Sequence, residues 1–499
     1  MKADIALLLE GTYPFVSGGV SSWVHQIIRA CPEWRFHLVF LGSRREDYAG
    51  MRYELPPNVV GLETHYLFEP EAPPPLKAPE PPAWVMEQVE ALHEAFLAGV
   101  PVEEAMTRLV GLFPVLLSDE ALRREHFLRS RAAWEAICSR YRRFCTDPSF
   151  VDYFWTVRIM HAPLWRLAAL ARGLPEARVY HTISTGYAGF LGALLRWRDG
   201  RPLILSEHGI YTKERKIDLL KAEWIRDNRN VFQRDPTEVS YFRALWIRFF
   251  EWLGRACYQA ADPIIALYEA NRQRQIQDGA DAARTRLIPN GVDIARFRPL
   301  RSRRPARVPP VLCLIGRVVP IKDVKTFIRA MRRVVNVLPE AEGWIAGPED
   351  EDPGYAEECR NLVESLGLAD KVRFLGFQKV DELLPQVGLT ILSSISEALP
   401  LVILEGFAAG VPTVATDVGS CRQLVEGLAA EDRALGTAGA IVGIADPIAL
   451  ADAALALLTD EARWRAASAA AIARVERFYT DEMMFAAYRE VYGAAMEKS

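Results

Sequence analysis

Short apolar runs alternate with helical stretches along this chain, and they do so in two series. The first series has runs at 5–10, 36–42, 178–181, 202–206, 263–267 and 286–288. The second has runs near 311–315, 341–346, 371–375, 389–393 and 412–415. Such alternation predicts parallel sheets covered by helices. The pattern therefore predicts an α/β chain of two Rossmann-like domains facing each other across a cleft.

Three stretches interrupt or join the two series. Residues 70–82 contain seven prolines, which excludes regular structure and predicts a stiff connector. From about 84 to 172 the pattern is helical, and it predicts a helical insertion into the first domain. Residues 296–310 hold six arginines and four prolines, which favours a solvated linker over a phosphate-binding strip. The predicted domains are 1–300 and 301–478, followed by a helix within 479–499.

Composition sets the class of protein. The 499 residues are too many for a single core. A net charge of −4 predicts no general affinity for nucleic acid. The seven cysteines are scattered, and no apolar run is long enough for a transmembrane segment. These features predict a cytoplasmic protein with reduced thiols, which could reach the inner membrane through partners.

Two carboxylates eight positions apart follow the apolar run at 389–393. Glu397 lies in the predicted strand-to-helix loop, and Glu405 lies about one and a half turns into the helix that begins near Pro400. Ligands bind at the carboxyl ends of parallel strands, and free backbone N–H groups at a helix start bind anions. The segment therefore predicts a nucleotide-sugar site, with a diphosphate at the helix start and sugar hydroxyls on the acids.

Two cations follow the first apolar run of the second series. Arg317 and Lys322 leave the end of the predicted strand 311–315 together. Fixed cations there could neutralise the charge that grows on a diphosphate leaving group. Exposed basic residues usually only interact with solvent. The carboxylates downstream in the same domain are what favour a functional role for Arg317 and Lys322.

In the first series, a loop with paired glycines joins the first strand to the first helix. Gly18 and Gly19 would let the backbone approach an anionic ligand, although a plain turn explains them equally well. All eight histidines precede residue 209, and His208 and His181 are the two best placed after strands. For each of them the alternative is a hydrogen-bonded structural histidine.

An acidic loop, 349–352, invites comparison with a metal site. Asp350 and Asp352 follow a predicted strand, as paired carboxylate ligands would. No histidine or second acidic cluster in this half of the sequence supports the metal hypothesis. A solvated acidic loop is the preferred interpretation.

Taken together, these motifs resemble the retaining glycosyltransferases of family 4, which have the GT-B fold. The resemblance rests on Arg317 with Lys322, on Glu397 with Glu405, on the Gly18-Gly19 loop and on the aromatic final helix. The N-terminal segment 7–23 and the segment 205–211 narrow it to enzymes of exopolysaccharide synthesis. The resemblance covers essentially the whole chain.

The resemblance implies a role for each residue. Arg317 and Lys322 would bind the donor diphosphate, Glu405 the ribose and Glu397 the transferred sugar. His208 would lie beside the acceptor and the anomeric carbon, and the last helix would cross back to the first domain. Further donor contacts would come from Gly18, Gly19, Phe377, Gln378, Leu399, Pro400 and Leu401, with Pro400 only shaping the turn because it has no N–H.

The implied enzyme transfers a hexose from a UDP-sugar, UDP-glucose or a relative, to a saccharide acceptor. It needs no cofactor and no metal, and its partners could include membrane-bound synthase subunits. Two alternatives stay open. One is a glucosyltransferase like glycogen or sucrose synthase, and the other is a catalytically silent UDP-sugar-binding scaffold of a membrane synthase.

Overall fold

The computed structural model describes residues 3–69, 78, 80–97, 102–118, 124–235 and 237–499. Contacts divide the chain into two units. The first comprises Met1–Ala266, Asn271–Arg286 and Tyr488–Ser499, and the second comprises Leu267–Ala270 and Leu287–Ala487. Most of the proline-rich stretch 70–82 lies outside the described residues, and the division predicted after residue 300 stays a prediction.

The first unit is built on a seven-stranded sheet within the described residues. The strands are β1 (Ile5–Glu10), β2 (Phe36–Gly42), β3 (Val59–Tyr66), β4 (Val179–Thr182), β5 (Leu203–Glu207), β6 (Ile264–Ala266) and β7 (Thr285–Leu287). Their order is β3-β2-β1-β4-β5-β6-β7, and the pairings from β3 to β6 are parallel. Nearly every residue of β1, β4 and β5 is buried, as parallel strands covered on both faces require.

Helices surround this sheet and also form the predicted insertion. They are α1 (Gly19–Ala30), α2 (Ala83–Leu97), α3 (Val102–Gly111), α4 (Phe113–Leu117), α5 (Arg124–Arg129), α6 (Arg131–Phe144), α7 (Phe150–Gly173), α8 (Tyr187–Asp199), α9 (Tyr211–Lys221), α10 (Tyr241–Ala260) and α11 (Glu269–Gln277). The insertion corresponds to α2 through α7, and its apolar side chains share one core with α8 and α10.

The second unit is built on a six-stranded parallel sheet within the described residues. Its strands are β8 (Val311–Ile315), β9 (Glu342–Ala346), β10 (Val372–Gly376), β11 (Leu389–Leu392), β12 (Thr413–Thr416) and β13 (Gly439–Val442). The order is β10-β9-β8-β11-β12-β13. The direction of winding therefore reverses between β8 and β11, and such a switch point opens a ligand crevice.

The helices of the second unit follow its strands. They are α12 (Ile294–Phe297), α13 (Val324–Val337), α14 (Pro353–Ser365), α15 (Val380–Leu383), α16 (Leu401–Ala408), α17 (Cys421–Glu426), α18 (Ala430–Arg433), α19 (Pro447–Leu458) and α20 (Glu461–Phe478). Helix α13 buries Phe327, Ile328 and Met331 against the sheet, and Asp323 caps its first turn.

Much of the arginine-rich segment 296–310 is exposed, and two of its arginines bind the second unit. Arg301 pairs with Glu476 and also donates to the carbonyl of Ala408. Arg304 donates to the carbonyls of Leu384 and Val387. Carbonyls left free at the ends of helices and turns attract such cations, which accounts for the contacts of Arg301 and Arg304.

The final helix, α21 (Asp481–Glu497), begins in the second unit and ends in the first. Thr480 caps it by accepting from the backbone N–H of Met483. Its Tyr492 hydroxyl lies 2.7 Å from His181 Nδ1, and the Tyr488 hydroxyl lies 2.9 Å from Ser206 Oγ. The two tyrosines are fully buried, so the end of the chain completes the core of the first unit.

Among the residues that the structure describes, no helix is both long enough and apolar enough to cross a membrane.

The sequence analysis missed two strands, β3 and β13. Strand β3 lies at the sheet edge, is only partly buried and carries polar side chains, so it lacks the apolar run that marks the other strands.

Candidate functional site

The switch point of the second sheet brings together two of the predicted site residues. Lys322 lies in the loop after β8 and Glu397 in the loop after β11, and these two strands are neighbours. Lys322 Nζ lies 2.6 Å from Glu397 Oε1. A cation for a diphosphate and a carboxylate for sugar hydroxyls therefore meet where an open α/β sheet binds its ligands.

Hydrogen bonds hold the side chain of Glu397 and the backbone of Lys322 in place. The Ser394 hydroxyl donates to Glu397 Oε1 at 2.6 Å, and the Ser393 hydroxyl donates to the carbonyl of Lys322 at 2.9 Å. Glu397 Oε2 has no protein partner among the described residues, so this oxygen can accept from a ligand. The two side chains are 23% and 13% exposed, which limits the screening of their attraction by water.

Backbone geometry also fixes the two loops. Asp323, directly after Lys322, has a φ of +44°, a left-handed conformation that is unusual for a residue other than glycine. At Gly419 a side-chain carbon would lie 2.4 Å from the carbonyl oxygens of Glu397 and Ala398. Only glycine permits this close approach, so the loop after β12 packs directly against the backbone of the Glu397 loop.

Arg317, the other predicted cation, pairs with an acid of a neighbouring loop. Its guanidinium pairs with Glu351, Nη1 to Oε1 at 2.6 Å, and both side chains are about half exposed. Such a pair is weak in water, so a diphosphate could displace the carboxylate. The role of Arg317 in donor binding stays a prediction.

The other acids of that loop have structural partners. Asp352 caps α14 by accepting from the backbone N–H of Tyr355, and Glu349 pairs with Arg360. Together with the Arg317–Glu351 pair, these bonds show that residues 349–352 form a surface loop held by salt bridges.

Glu405 lies on α16 beside Arg296 and Asp381. Burial raises the pKa of Glu405 to about 7, with Arg296 lowering and Asp381 raising the value. The carboxyl is therefore only partly ionised near neutral pH, and its hydrogen-bonding state can respond to a ligand.

The remaining predicted donor residues of the second unit lie in two places, at the start of α16 and after β10. Leu399 and Pro400 are buried at the start of α16, and the backbone N–H groups of Leu399 and Leu401 find no backbone acceptor among the described residues. Phe377 is 80% exposed after β10, and Gln378 beside it donates to the carbonyl of Leu375. The two amides are therefore free of backbone bonds, and the ring of Phe377 is accessible to a ligand.

Gly18 and Gly19 belong to the first unit, at the start of α1. Both are exposed, and a side-chain carbon at either position would meet no atom within 4 Å. The loop is therefore open, as the approach of an anion would require.

The first unit also contains a cavity of about 650 Å³ at the carboxyl ends of its strands. Glu10 ends β1, Ser43 follows β2, Ser184 follows β4, and Glu207 and His208 lie at the end of β5. Helices α9 and α10 close one side with aromatic rings, those of Tyr211, Trp246 and Phe250. An amphipathic cavity of this kind suits a saccharide, because pyranose rings have apolar faces and polar edges.

His208 is the predicted residue that lines this cavity. It is 8% exposed, and its Nε2 has no hydrogen-bond partner in the described structure. The edge of its ring meets Trp23, with centroids 4.6 Å apart. Burial lowers the pKa of His208 to about 4, so the ring is neutral and its open nitrogen can bond a hydroxyl.

His181, the other candidate histidine, is structural. It is fully buried, and both ring nitrogens are occupied by Tyr492 and Ser206. Burial lowers its pKa to about 3, with the neighbouring His208 contributing further. The structure thus gives His181 two hydrogen-bond partners and leaves His208 Nε2 with none among the described residues.

Sequence reasoning missed two carboxylates of the cavity. Glu10 accepts from the Tyr211 hydroxyl at 2.9 Å and from the backbone N–H of Ala188 at 3.0 Å. Glu207 is 1% exposed, and burial raises its pKa to about 7 despite bonds from Tyr258 and other donors. The sequence did contain a signal for both residues, because Glu10 and Glu207 are each the acidic last residue of a largely apolar strand.

Comparison with known proteins gives the chain two family matches. The family described as "Domain of unknown function (DUF3492)" matches residues 3–283. The family described as "Glycosyl transferases group 1" matches residues 309–460, which include the Lys322–Glu397 pair.

Two relatives and one solved structure illustrate the likeness. A D-inositol 3-phosphate glycosyltransferase of Acidothermus cellulolyticus is 30% identical over 341 residues, 64% of this chain and 69% of the relative. An exopolysaccharide phosphotransferase of Streptomyces coelicolor is 36% identical over 225 residues, 44% of this chain but only 22% of that protein's length. HepE of Anabaena, solved with UDP and glucose, is 15% identical with a TM-score of 0.55, over 98% of this chain and 99% of its own. The structural likeness confirms the predicted GT-B class of two Rossmann-like units.

Proposed function

Since the chain belongs to the family described as Domain of unknown function (DUF3492) and to the glycosyl transferases of group 1, we propose that it transfers a hexose from a UDP-sugar to a saccharide. UDP-glucose or a related UDP-hexose is the proposed donor. A growing exopolysaccharide or its precursor is the proposed acceptor. The observation that carries the proposal is the contact of Lys322 with Glu397 at the switch point of the second sheet.

In the proposed reaction, the bond between the anomeric carbon and the diphosphate oxygen breaks with its electron pair on the diphosphate. Lys322, Arg317 and the free N–H groups of Leu399 and Leu401 stabilise this charge. The acceptor hydroxyl oxygen forms the new bond on the same face of the sugar, and its proton passes to the departing phosphate oxygen. The configuration of the anomeric carbon is thereby retained.

The protein's own charges would supply the electrostatic stabilisation that a divalent metal supplies in other transferases. Glu397 would release Lys322 to the diphosphate and use its carboxylate for hydroxyls of the transferred sugar. Glu405 would hold the ribose, Phe377 and Gln378 would border the base, and Gly18 and Gly19 would meet the diphosphate.

The cavity of the first unit would bind the acceptor. His208 Nε2 would accept a hydrogen bond from, or donate one to, an acceptor hydroxyl, and Glu10 could bind a second hydroxyl beside it. The aromatic rings of α9 and α10 would stack on the sugar faces. This assignment explains why a buried histidine keeps an unoccupied nitrogen.

Two features favour exopolysaccharide synthesis as the setting. The N-terminal segment 7–23 and the segment 205–211 resemble PelF, the cytosolic glycosyltransferase of Pel polysaccharide synthesis and hence of biofilm formation. The exopolysaccharide phosphotransferase relative is consistent with this setting. We propose a cytoplasmic enzyme that partners with membrane-bound synthase subunits.

The deciding experiment is isothermal titration of the protein with UDP-, ADP- and GDP-sugars, followed by transfer assays with each donor that binds. Selective binding of one UDP-hexose and its transfer to a saccharide are expected. Preference for ADP- or GDP-sugars would contradict the donor assignment. Efficient extension of α-glucans would instead support a glucosyltransferase like glycogen synthase.

A catalytically silent scaffold is the other alternative. It predicts that UDP-sugars bind but are never turned over with any native acceptor, and that Lys322→Ala changes binding alone. The proposed enzyme requires that Lys322→Ala also lowers the rate of transfer by about 10²-fold, as the loss of a transition-state contact does.

A further inference from the structure

An apolar stripe runs along the exposed face of α7 in the helical insertion. Val151, Trp155 and Ile159 are 62%, 55% and 48% exposed, and their spacing of four residues places them on one helix face. Trp134 of α6, 51% exposed, joins them through Phe154, whose ring centroid lies 5.9 Å from that of Trp134 and 5.4 Å from that of Trp155. We call these five residues the α7 stripe. Contiguous exposed apolar surface of this kind marks an interaction site.

Arginines border the α7 stripe. The Arg158 guanidinium lies over the rings of Phe154 and Trp155, 4.9 and 5.9 Å from their centroids. The pKa of Arg158 is lowered by burial and then by the positive charges of Arg129 and Arg124, so the three arginines are neighbours. In the described part of the chain, neither Arg129 nor Arg158 forms an ion pair. The surface is therefore both apolar and positively charged.

Three of the four acids within residues 124–158 bind groups other than Arg129 and Arg158. Residues 124–158 hold seven arginines and four acids. Glu135 already pairs with an arginine of its own helix. Asp147 and Asp152 both bind the side-chain amide of Asn228. The complementary partner must therefore supply negative charge together with an apolar interior.

We propose that the α7 stripe lies on a membrane surface that contains anionic lipids. Tryptophan rings prefer the boundary between lipid headgroups and acyl chains, and arginines beside them bind anionic headgroups. An anionic surface attracts each nearby cation by about 1 kcal/mol, which is about a fivefold gain in binding. The combination of tryptophans with Arg129 and Arg158, which form no ion pair among the described residues, favours lipid over a protein groove.

The stripe also leads to the acceptor cavity. Ile159, its last residue, lines that cavity together with Trp224, which is 64% exposed. Binding to lipid would bring the cavity rim to the membrane, where a growing polysaccharide or a lipid-borne precursor could enter. This consequence rests on the proposed function, whereas binding to the membrane does not.

Vesicle binding tests the proposal with the full-length protein and without donor or acceptor. The protein should sediment with vesicles of phosphatidylglycerol and phosphatidylcholine in equal parts, much less with phosphatidylcholine alone, and less as salt is raised. Brominated lipids in the mixed vesicles should quench part of the tryptophan fluorescence. Because transfer is not measured, failure here would leave the proposed function intact.

Matched variants locate the surface. Trp155→Ala and Arg158→Gln should each weaken binding to the mixed vesicles by about fivefold. Trp197→Ala on α8 and Arg332→Gln on α13 replace exposed residues elsewhere and should leave binding unchanged. An unchanged circular dichroism spectrum and an unchanged unfolding temperature would show that each variant is folded.

Two results would overturn the proposal. One is equal vesicle binding by the wild-type protein and the Trp155→Ala variant. The other is no binding to pure lipid while native membranes bind the protein until they are treated with protease. The second result would identify a membrane protein, and not the lipid, as the partner of the α7 stripe.

Discussion

Replacing Lys322 by Met and, separately, Glu397 by Gln should change the affinity for UDP in opposite directions. The two side chains contact each other at 2.6 Å in the absence of ligand, so a diphosphate must take Lys322 away from Glu397. Lys322→Met removes the cation that binds phosphate. Glu397→Gln removes only the competing negative charge. Both variants should lose transfer activity, but for different reasons.

The magnitudes follow from the contact. A hydrogen bond to a charged group contributes about 1.5–3 kcal/mol, so Lys322→Met should weaken UDP binding by about 10–100-fold. The pair is partly exposed, which limits the competition from Glu397 to about 1 kcal/mol. Glu397→Gln should therefore tighten UDP binding by about fivefold while the rate of transfer falls by about 10²-fold.

Isothermal titration with UDP and a transfer assay at saturating donor measure the two effects. Lys325→Met and Glu358→Gln are matched controls, because this second lysine–carboxylate pair lies nearby on α13 and α14. They should leave both quantities unchanged. Weaker UDP binding in Glu397→Gln, equal to that in Lys322→Met, would refute the competition between carboxylate and diphosphate.

Three further predictions concern single groups. His208→Ala should lower the rate of transfer at least tenfold, as loss of a positioned hydrogen-bonding group does, with little change in UDP affinity; the reverse would remove His208 from the acceptor side. Burial raises the pKa of Glu405 to about 7, so its carboxylate becomes protonated as the pH falls from about 8 to about 6, and UDP affinity should fall about tenfold. The Glu405→Gln variant should not show this pH dependence. If the dependence persists in the variant, another group causes it. A chelator should leave transfer intact, and loss of activity that Mg²⁺ restores would return attention to Asp350 and Asp352.

The sequence predicted β8, β9, β11 and β12 well because each of these strands is a short run of almost entirely buried residues. It could not show the contact between Lys322 and Glu397, since 75 positions separate them and only the order of the strands makes β8 and β11 neighbours. The pairing of Arg317 with Glu351 was equally hidden, because side-chain partners depend on how two loops meet.

In the first unit, the sequence could not predict which polar residues meet in the cavity. Glu10 and Glu207 look like ordinary ends of apolar strands, and their shared place on the cavity wall follows from the fold. The histidines at 181 and 208 have similar sequence surroundings. What separates them is the last helix, whose tyrosine occupies one and leaves the other open.

The path of α21 has a consequence for how the protein is made. Residues 488–499 are synthesised after the second unit, yet Tyr488 and Tyr492 fill the interior of the first unit. Until they arrive, His181 and Ser206 lack their hydroxyl partners in a buried place, which is costly. The first unit must therefore wait, incompletely folded, while the entire second unit is synthesised. A nascent chain stopped before residue 488 should be recognised by chaperones and proteases even though nearly all of both sheets is present.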